Sequence, residues 1–453
     1  MNASASFVSP RLFATVGLLT LAGWSARAAD SAPAAAAPTA PVPTAARPPA
    51  LKDAAGRSLR RAATGHVTNY DEASVPPYTL PDPLVLKNGQ PVRDADTWFK
   101  QRRPEILKLY ETEIYGRVPA NAPKVTTEVV STDPAALDGA AVRKEIAVHF
   151  GDKTSGPTVH LVLYTPAKAT APVPVMLQLL FGDPPGVVPP APVEGAPPRR
   201  AFRDAGPVAD LIARGYGYAS FRYTEVQLDT AGGRISGVIG LTLAQGQTAP
   251  GADEWGTISA WAWAASRMMD YLETDRSVDA KRVALVGHSR LGKTVLWAGA
   301  QDQRFAMILS SQGGEMGSSL ARRDFGESVD DMAGNYGYQF AGNFQKYPGH
   351  WNDLPVDTHF LISLCAPRPL FVTGGSGDLW SDPHGEFLGE VAAGPVYRLL
   401  GQPDLGTTAM PPLDQSVMTG KLAFLEHDGP HAITPLDWKA FLDYADTYLR
   451  SIR

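Results

Sequence analysis

Apolar residues along this chain gather into short runs, and between the runs they recur every three or four positions. The segments 158–164 (TVHLVLY) and 216–223 are short and rich in β-branched and aromatic residues, which predicts strands. Residues 173–181 form an apolar run of the kind found in a strand buried on both faces. Shorter runs at 282–286, 306–310, 369–373 and 422–426 predict further strands. Helical spacing occupies 203–214, 255–273, 290–300 and 436–450, and the second of these is rich in Ala and Trp. Strands and helices therefore alternate, which predicts an α/β fold with a mostly parallel, doubly wound sheet and helices on both faces. Residues 232–251 and 319–353 fit neither period. They are expected to be long loops over one end of the sheet, where sites form.

The N-terminus departs from this pattern. Arg11, the apolar stretch 12–22 and Ala26-Arg27-Ala28 have the layout of a secretory leader, so residues 1–28 are expected to be a signal peptide. The mature protein is then expected in the periplasm or outside the cell. No later run approaches the ~18 apolar residues of a membrane span, so no membrane partner is expected. Residues 31–50 are mostly Ala and Pro, too poor in core-forming side chains to order themselves. Residues 29–64 are read as a disordered lead-in and 65–453 as one catalytic domain. The net charge of −5 over 453 residues is spread evenly and excludes a basic nucleic-acid surface. Cys365 is the single cysteine, so no intrachain disulfide is available; it sits in an apolar run and is read as a buried small hydrophobe. A monomer is expected.

The most informative segment is Val283-Ala284-Leu285-Val286-Gly287-His288-Ser289-Arg290-Leu291-Gly292-Lys293. A strand ends, a Ser follows, and a helix opens. At such a turn Ser289 would present its hydroxyl above the sheet, beside the free N–H groups of a helix N-terminus. This is the nucleophile elbow of the α/β-hydrolase fold, a three-layer sandwich, with one irregularity: Leu291 stands where the second Gly is usual and Gly292 follows it. The competing role for Ser289 is a helix cap. A Ser nucleophile needs a base and an acid, which in this fold follow it in the order Ser, acid, His. His431, after a Gly-Pro turn beyond the last strand, is the candidate base; His427 is its rival. Asp378, after a glycine-rich turn, is the candidate acid; Asp382 is the alternative. His427 and His431 could pair on a metal, but a third ligand is lacking, so no metal is expected.

Residues 287–293 (GHSRLGK) resemble the G-[CH]-S-R-x-G-K signature of the glucuronoyl esterases, carbohydrate esterase family 15. Similar segments occur at 98–119, 255–263, 322–327 and 378–383, so the resemblance spans roughly 75–450. It implies that Ser289 is the nucleophile, His431 the base and Asp378 the acid. It further implies that Arg290 stabilises the oxyanion and that Lys293, Glu327 and Trp380 hold the glucuronate ring. The expected substrate is the ester linking (4-O-methyl)-glucuronic acid of glucuronoxylan to lignin alcohols, with no cofactor; acetyl-xylan or general carboxylester hydrolysis, or a catalytically dead carbohydrate binder, are the alternatives. Some members carry their acid after the strand following the nucleophile helix. There this chain has Gln312, with Glu315 three residues on as a candidate auxiliary acid. His288 stands where fungal-type members have a disulfide-bonded Cys, which places the chain with the bacterial type.

Overall fold

Nine strands form one sheet in the order β1-β2-β3-β5-β4-β6-β7-β8-β9. They are β1 (Val125–Ala136), β2 (Ala141–Phe150), β3 (Thr158–Pro166), β4 (Val173–Leu180), β5 (Gly217–Arg222), β6 (Val278–His288), β7 (Met307–Ser311), β8 (Leu370–Gly375) and β9 (Leu422–His427). β1 to β3 and the β3–β5 pair are antiparallel. From β5 across to β9 every pairing is parallel. This computed structural model describes residues 51–153, 156–187 and 204–450. The leader expected at 1–28, the Ala/Pro stretch of 31–50 and the first residue of the helix expected at 203–214 lie outside the described residues.

All of β4 is buried, as its apolar run requires. Along each central strand alternate residues enter opposite layers. Val283 and Leu285 face the helices α1 (Thr257–Leu272) and α2 (Arg290–Gln301) through one core; Ala284 and Val286 join the other core, with Phe441 and Tyr444. The chain moves from β4 to β5 on one side and then to β6 on the other. That reversal opens a crevice at the carboxyl ends of β4 and β6, the place where open α/β sheets bind ligands.

Several elements differ from the sequence expectation. β1 has a largely exposed face pattern, so it carries almost none of the apolar signal of the inner strands. The expected helix at 203–214 is confined to Val208–Ala213 among the described residues. The apolar run holding Cys365 is a helix, α3 (Thr358–Cys365), whose N-terminus is capped by the Asp357 carboxylate; Cys365 is buried and free. Helices α4 (Pro383–Leu399) and α5 (Pro435–Tyr448) complete the layers beside β8 and β9. The lead-in boundary at 64 is corrected. Residues 51–64 pair through Lys52–Ser58 and Arg61–Val67 bridges, and the Arg60 guanidinium lies 4.6 Å from the Trp380 ring centroid. Hydrogen bonding and a cation–π contact order a stretch whose composition alone lacks a core.

Candidate active site

Ser289 is the single residue between β6 and α2, with φ 59° and ψ −130°. Such a conformation is uncommon for a side chain with a Cβ and must be held by its surroundings. Its N–H donates to Ser311 O at 2.8 Å and its C=O accepts from Lys293 N at 3.1 Å. A Cβ on Gly287 would sit 2.1 Å from Leu291 O. A Cβ on Gly292 would sit 2.9 Å from Ser310 Oγ and 3.0 Å from Ser311 O. The displaced glycine therefore has a packing cause: at 292 it lets α2 cross closely over the end of β7. Ser289 makes no side-chain capping bond, which disposes of the cap alternative. It lines a cavity of about 530 Å³ with Phe181, Tyr223, Asp229, Arg290 and His431.

His431 lies in the loop between β9 and α5. Its Nδ1 is 2.6 Å from Asp378 Oδ2. Asp378 follows β8, is 6% exposed, and donates its N–H to Gly375 O. An aspartate on Nδ1 selects the tautomer that leaves Nε2 free as base. The rivals have other work. His427 is buried, with Nδ1 3.0 Å from Asp437 Oδ1 and Nε2 3.2 Å from Pro430 O. Burial opposes its charge, but Asp437 and the Pro430 carbonyl hold its pKa above the usual histidine value. The two histidines thus sit on separate carboxylates. Asp382 caps α4 through Gly385 N and pairs with Arg323 at 2.8 Å.

Among the described residues Glu315, the candidate auxiliary acid, makes no hydrogen bond to His431. His431 Nδ1 is engaged by Asp378 and, at 3.5 Å, by Ser381 Oγ. Glu315 is buried; that burial, reinforced by the charges of Asp357 and Glu327, pushes its pKa well above the carboxylate range. Gln312 donates through Nε2 to Ala432 O at 2.9 Å, tying down the His431 loop. His288 packs its ring 4.5 Å from that of His431. Burial, with a smaller effect from His431, depresses its pKa to about 3, so it stays neutral beside the base.

Two further groups complete the site. Arg290 donates through Nη1 to Asp229. Lys293 Nζ lies 3.0 Å from Glu327 Oε2, and Trp380 Nε1 donates to Glu327 Oε1 at 3.0 Å. Lys293 and Glu327 are 4% and 8% exposed, so the pair is a built feature rather than a surface contact. Glu327 N also donates to Trp380 O, which clamps the two loops together. Gly326 permits this with φ +70°, since a Cβ would fall 2.4 Å from Leu379 O. The cluster adjoins the triad: Lys293 is one helical turn from Ser289, and Ser381, next to Trp380, reaches His431.

Sequence reasoning did not find two carboxylates of this region. Asp229 anchors Arg290. Asp204 accepts from Phe181 N at 2.6 Å and Gly182 N at 3.1 Å. Those amides follow β4, and in this fold that loop ordinarily supplies an oxyanion donor. With Asp204 on them, the Arg290 N–H in the first turn of α2 and the Arg290 guanidinium are, among the described residues, the donors nearest the nucleophile in sequence. Neither aspartate has a motif spacing; only the tertiary fold brings them in.

Known proteins resemble this chain in sequence and fold. A family model described as glucuronyl esterase, fungi, matches residues 249–401. Carbohydrate esterase MZ0003, from an unknown prokaryotic organism, is 38% identical over 403 residues, 84% of this chain and 92% of that protein. The 4-O-methyl-glucuronoyl methylesterase of Phanerochaete carnosa is 27% identical, covering 72% of this chain and 73% of its own. A solved glucuronoyl esterase from Solibacter usitatus is 43% identical, with a TM-score of 0.77 over 83% of this chain and 100% of that one. With likeness running through the fold and most of the length, the chain belongs to carbohydrate esterase family 15, the glucuronoyl esterases.

Proposed function

We propose that this protein is a serine esterase that cleaves esters of the C6 carboxyl of (4-O-methyl)-glucuronic acid, the link between glucuronoxylan and lignin alcohols. The observation that carries this reading is the buried Lys293–Glu327–Trp380 cluster beside the Ser289–His431–Asp378 constellation. An ammonium with free donors and a carboxylate with spare lone pairs suit the vicinal hydroxyls of a sugar ring. An acetyl group would have no use for them.

His431 Nε2 takes the Ser289 proton as Oγ attacks the ester carbonyl. The Asp378 carboxylate orients His431 and stabilises the imidazolium. The Arg290 N–H and guanidinium receive the charge that develops on the carbonyl oxygen. The alcohol leaves with the proton from His431, and water, activated by the same base, releases glucuronate and regenerates Ser289. The leader-like composition of residues 1–28 supports export, testable by N-terminal sequencing of the protein recovered from culture.

The deciding experiment compares kcat/KM for benzyl glucuronate with that for p-nitrophenyl acetate. A strong preference for the uronate is expected. Preference for the acetate by orders of magnitude would transfer the protein to general carboxylester hydrolysis.

A further inference from the structure

Asp229 is not part of the triad or of the sugar cluster, yet it is the most heavily bonded carboxylate in the cavity. Its Oδ1 accepts from Tyr338 OH at 2.9 Å and Gln339 Nε2 at 2.9 Å. Its Oδ2 accepts from Tyr223 OH at 2.7 Å and from Arg290 Nη1. Tyr223 opens the short helix after β5, while Tyr338 and Gln339 come from the long insertion at 319–353. The carboxylate is therefore fixed from two sides by neutral donors, independently of the arginine.

The arginine is less constrained. Among the described residues its guanidinium donates only to Asp229, and its other contact is the Tyr336 ring, 5.3 Å from Cζ. Its side chain is 28% exposed against 10% for Asp229, so the inner end is anchored while the rest opens on the cavity that holds Ser289. A long side chain with several rotatable bonds stabilises a transition state only if it is already in place when charge develops. The need is acute because Asp204 occupies the amides after β4. The three neutral donors also spread the negative charge of Asp229, which leaves the guanidinium its pull on an incoming oxyanion.

We propose that Asp229 is a positioning residue for this reaction: it holds the Arg290 guanidinium at the oxyanion, and the two tyrosines and Gln339 exist there to hold Asp229. The inference rests on the esterase reading given above. It assigns the Asp229 carboxylate no contact with substrate.

The test is a mutant cycle on benzyl glucuronate with Arg290→Ala, Asp229→Asn and the double variant, read as kcat and KM separately, with Ser289→Ala alongside. Loss of one oxyanion donor costs about 100-fold in kcat. Arg290→Ala should lose about that, and Asp229→Asn about 10-fold or more with KM within about threefold, since the ground state is little affected. The double variant should be no slower than Arg290→Ala alone, because the two act as one unit. Millimolar guanidinium should restore part of the Arg290→Ala activity and none in the double variant, a response that a purely structural aspartate would not govern. If Asp229→Asn fails to fold, Tyr338→Phe loosens the same carboxylate from the other side, and its loss should likewise vanish in the Arg290→Ala background. Multiplicative losses, or equal guanidinium rescue with and without Asp229, would overturn the proposal. Full activity in Ser289→Ala would overturn the esterase reading instead, so the two failures are distinguishable.

Discussion

Replacing Asp378 by Asn and, separately, Glu315 by Gln separates two of the three acids that the sequence offers. Asp378 Oδ2 lies 2.6 Å from His431 Nδ1, so when the imidazole takes the Ser289 proton an ion pair forms. Taking charge centres about 4 Å apart and an effective dielectric of about 20, the attraction is about 4 kcal/mol. His431 is 38% exposed on its side chain, so solvent screening reduces this to about 2–4 kcal/mol. That corresponds to a loss of roughly 30- to 1,000-fold in kcat. Asn keeps an acceptor for Nδ1, so the charge is the main thing removed. Burial disfavours the charged form of Glu315 and it makes no bond to His431, so Gln of the same shape should keep kcat within about threefold of the parent. Steady-state hydrolysis of benzyl glucuronate near neutral pH reads both. A loss below about threefold in Asp378→Asn, or an equal loss in Glu315→Gln, would refute the assignment of the acid.

Other outcomes follow from the same geometry. Lys293→Ala leaves Glu327 buried and unpaired, which should cost about 3–5 kcal/mol of stability as well as uronate activity. The double variant Lys293→Met/Glu327→Leu should recover the melting temperature but not benzyl glucuronate hydrolysis; recovery of both would remove the cluster's role in the sugar. Gly326→Ala meets both a positive φ and the Leu379 carbonyl, so it should destabilise by about 1–3 kcal/mol and raise KM by shifting Trp380, measured by calorimetry and kinetics. Glu390 is fully buried, and that burial, then the charge of Glu386, holds its pKa well above the usual range. The native state keeps a proton that the unfolded chain releases above about pH 4.3, so Glu390 lowers stability as pH rises through that window. Glu390→Gln should therefore raise the melting temperature at pH 8 and much less at pH 4; an unchanged difference across pH would contradict a protonated Glu390.

The central strands were legible because burial on both faces writes itself as apolar runs, as in β4. β1 was not, since a strand with ten consecutive exposed positions has the composition of a loop. Helix α4, with Gly and Pro among its residues, hides its period for a similar reason. At the site, everything contiguous with the elbow was readable: Ser289 immediately precedes α2, and Arg290 and Lys293 lie in its first turn. His431 and Asp378 were readable by order along the chain, although Asp378 and Asp382 could be separated only once their partners were visible. The burial of Glu315 was not legible, because spacing along the chain reports nearness and not burial. Asp229, Asp204 and the ordering of residues 51–64 rest on contacts between distant segments, such as Arg60 with Trp380, and no local pattern encodes those.

The central claim is that one site holds the uronate ring on Lys293, Glu327 and Trp380 while presenting its C6 ester to Ser289. A crystal structure of the Ser289→Ala variant with methyl glucuronate tests it directly. The account predicts ring hydroxyls on Lys293 and Glu327, the ring beside Trp380, and the ester carbonyl oxygen directed at Arg290. A sugar bound away from those three residues, or bound on them with its carboxyl pointing away from position 289, would contradict it.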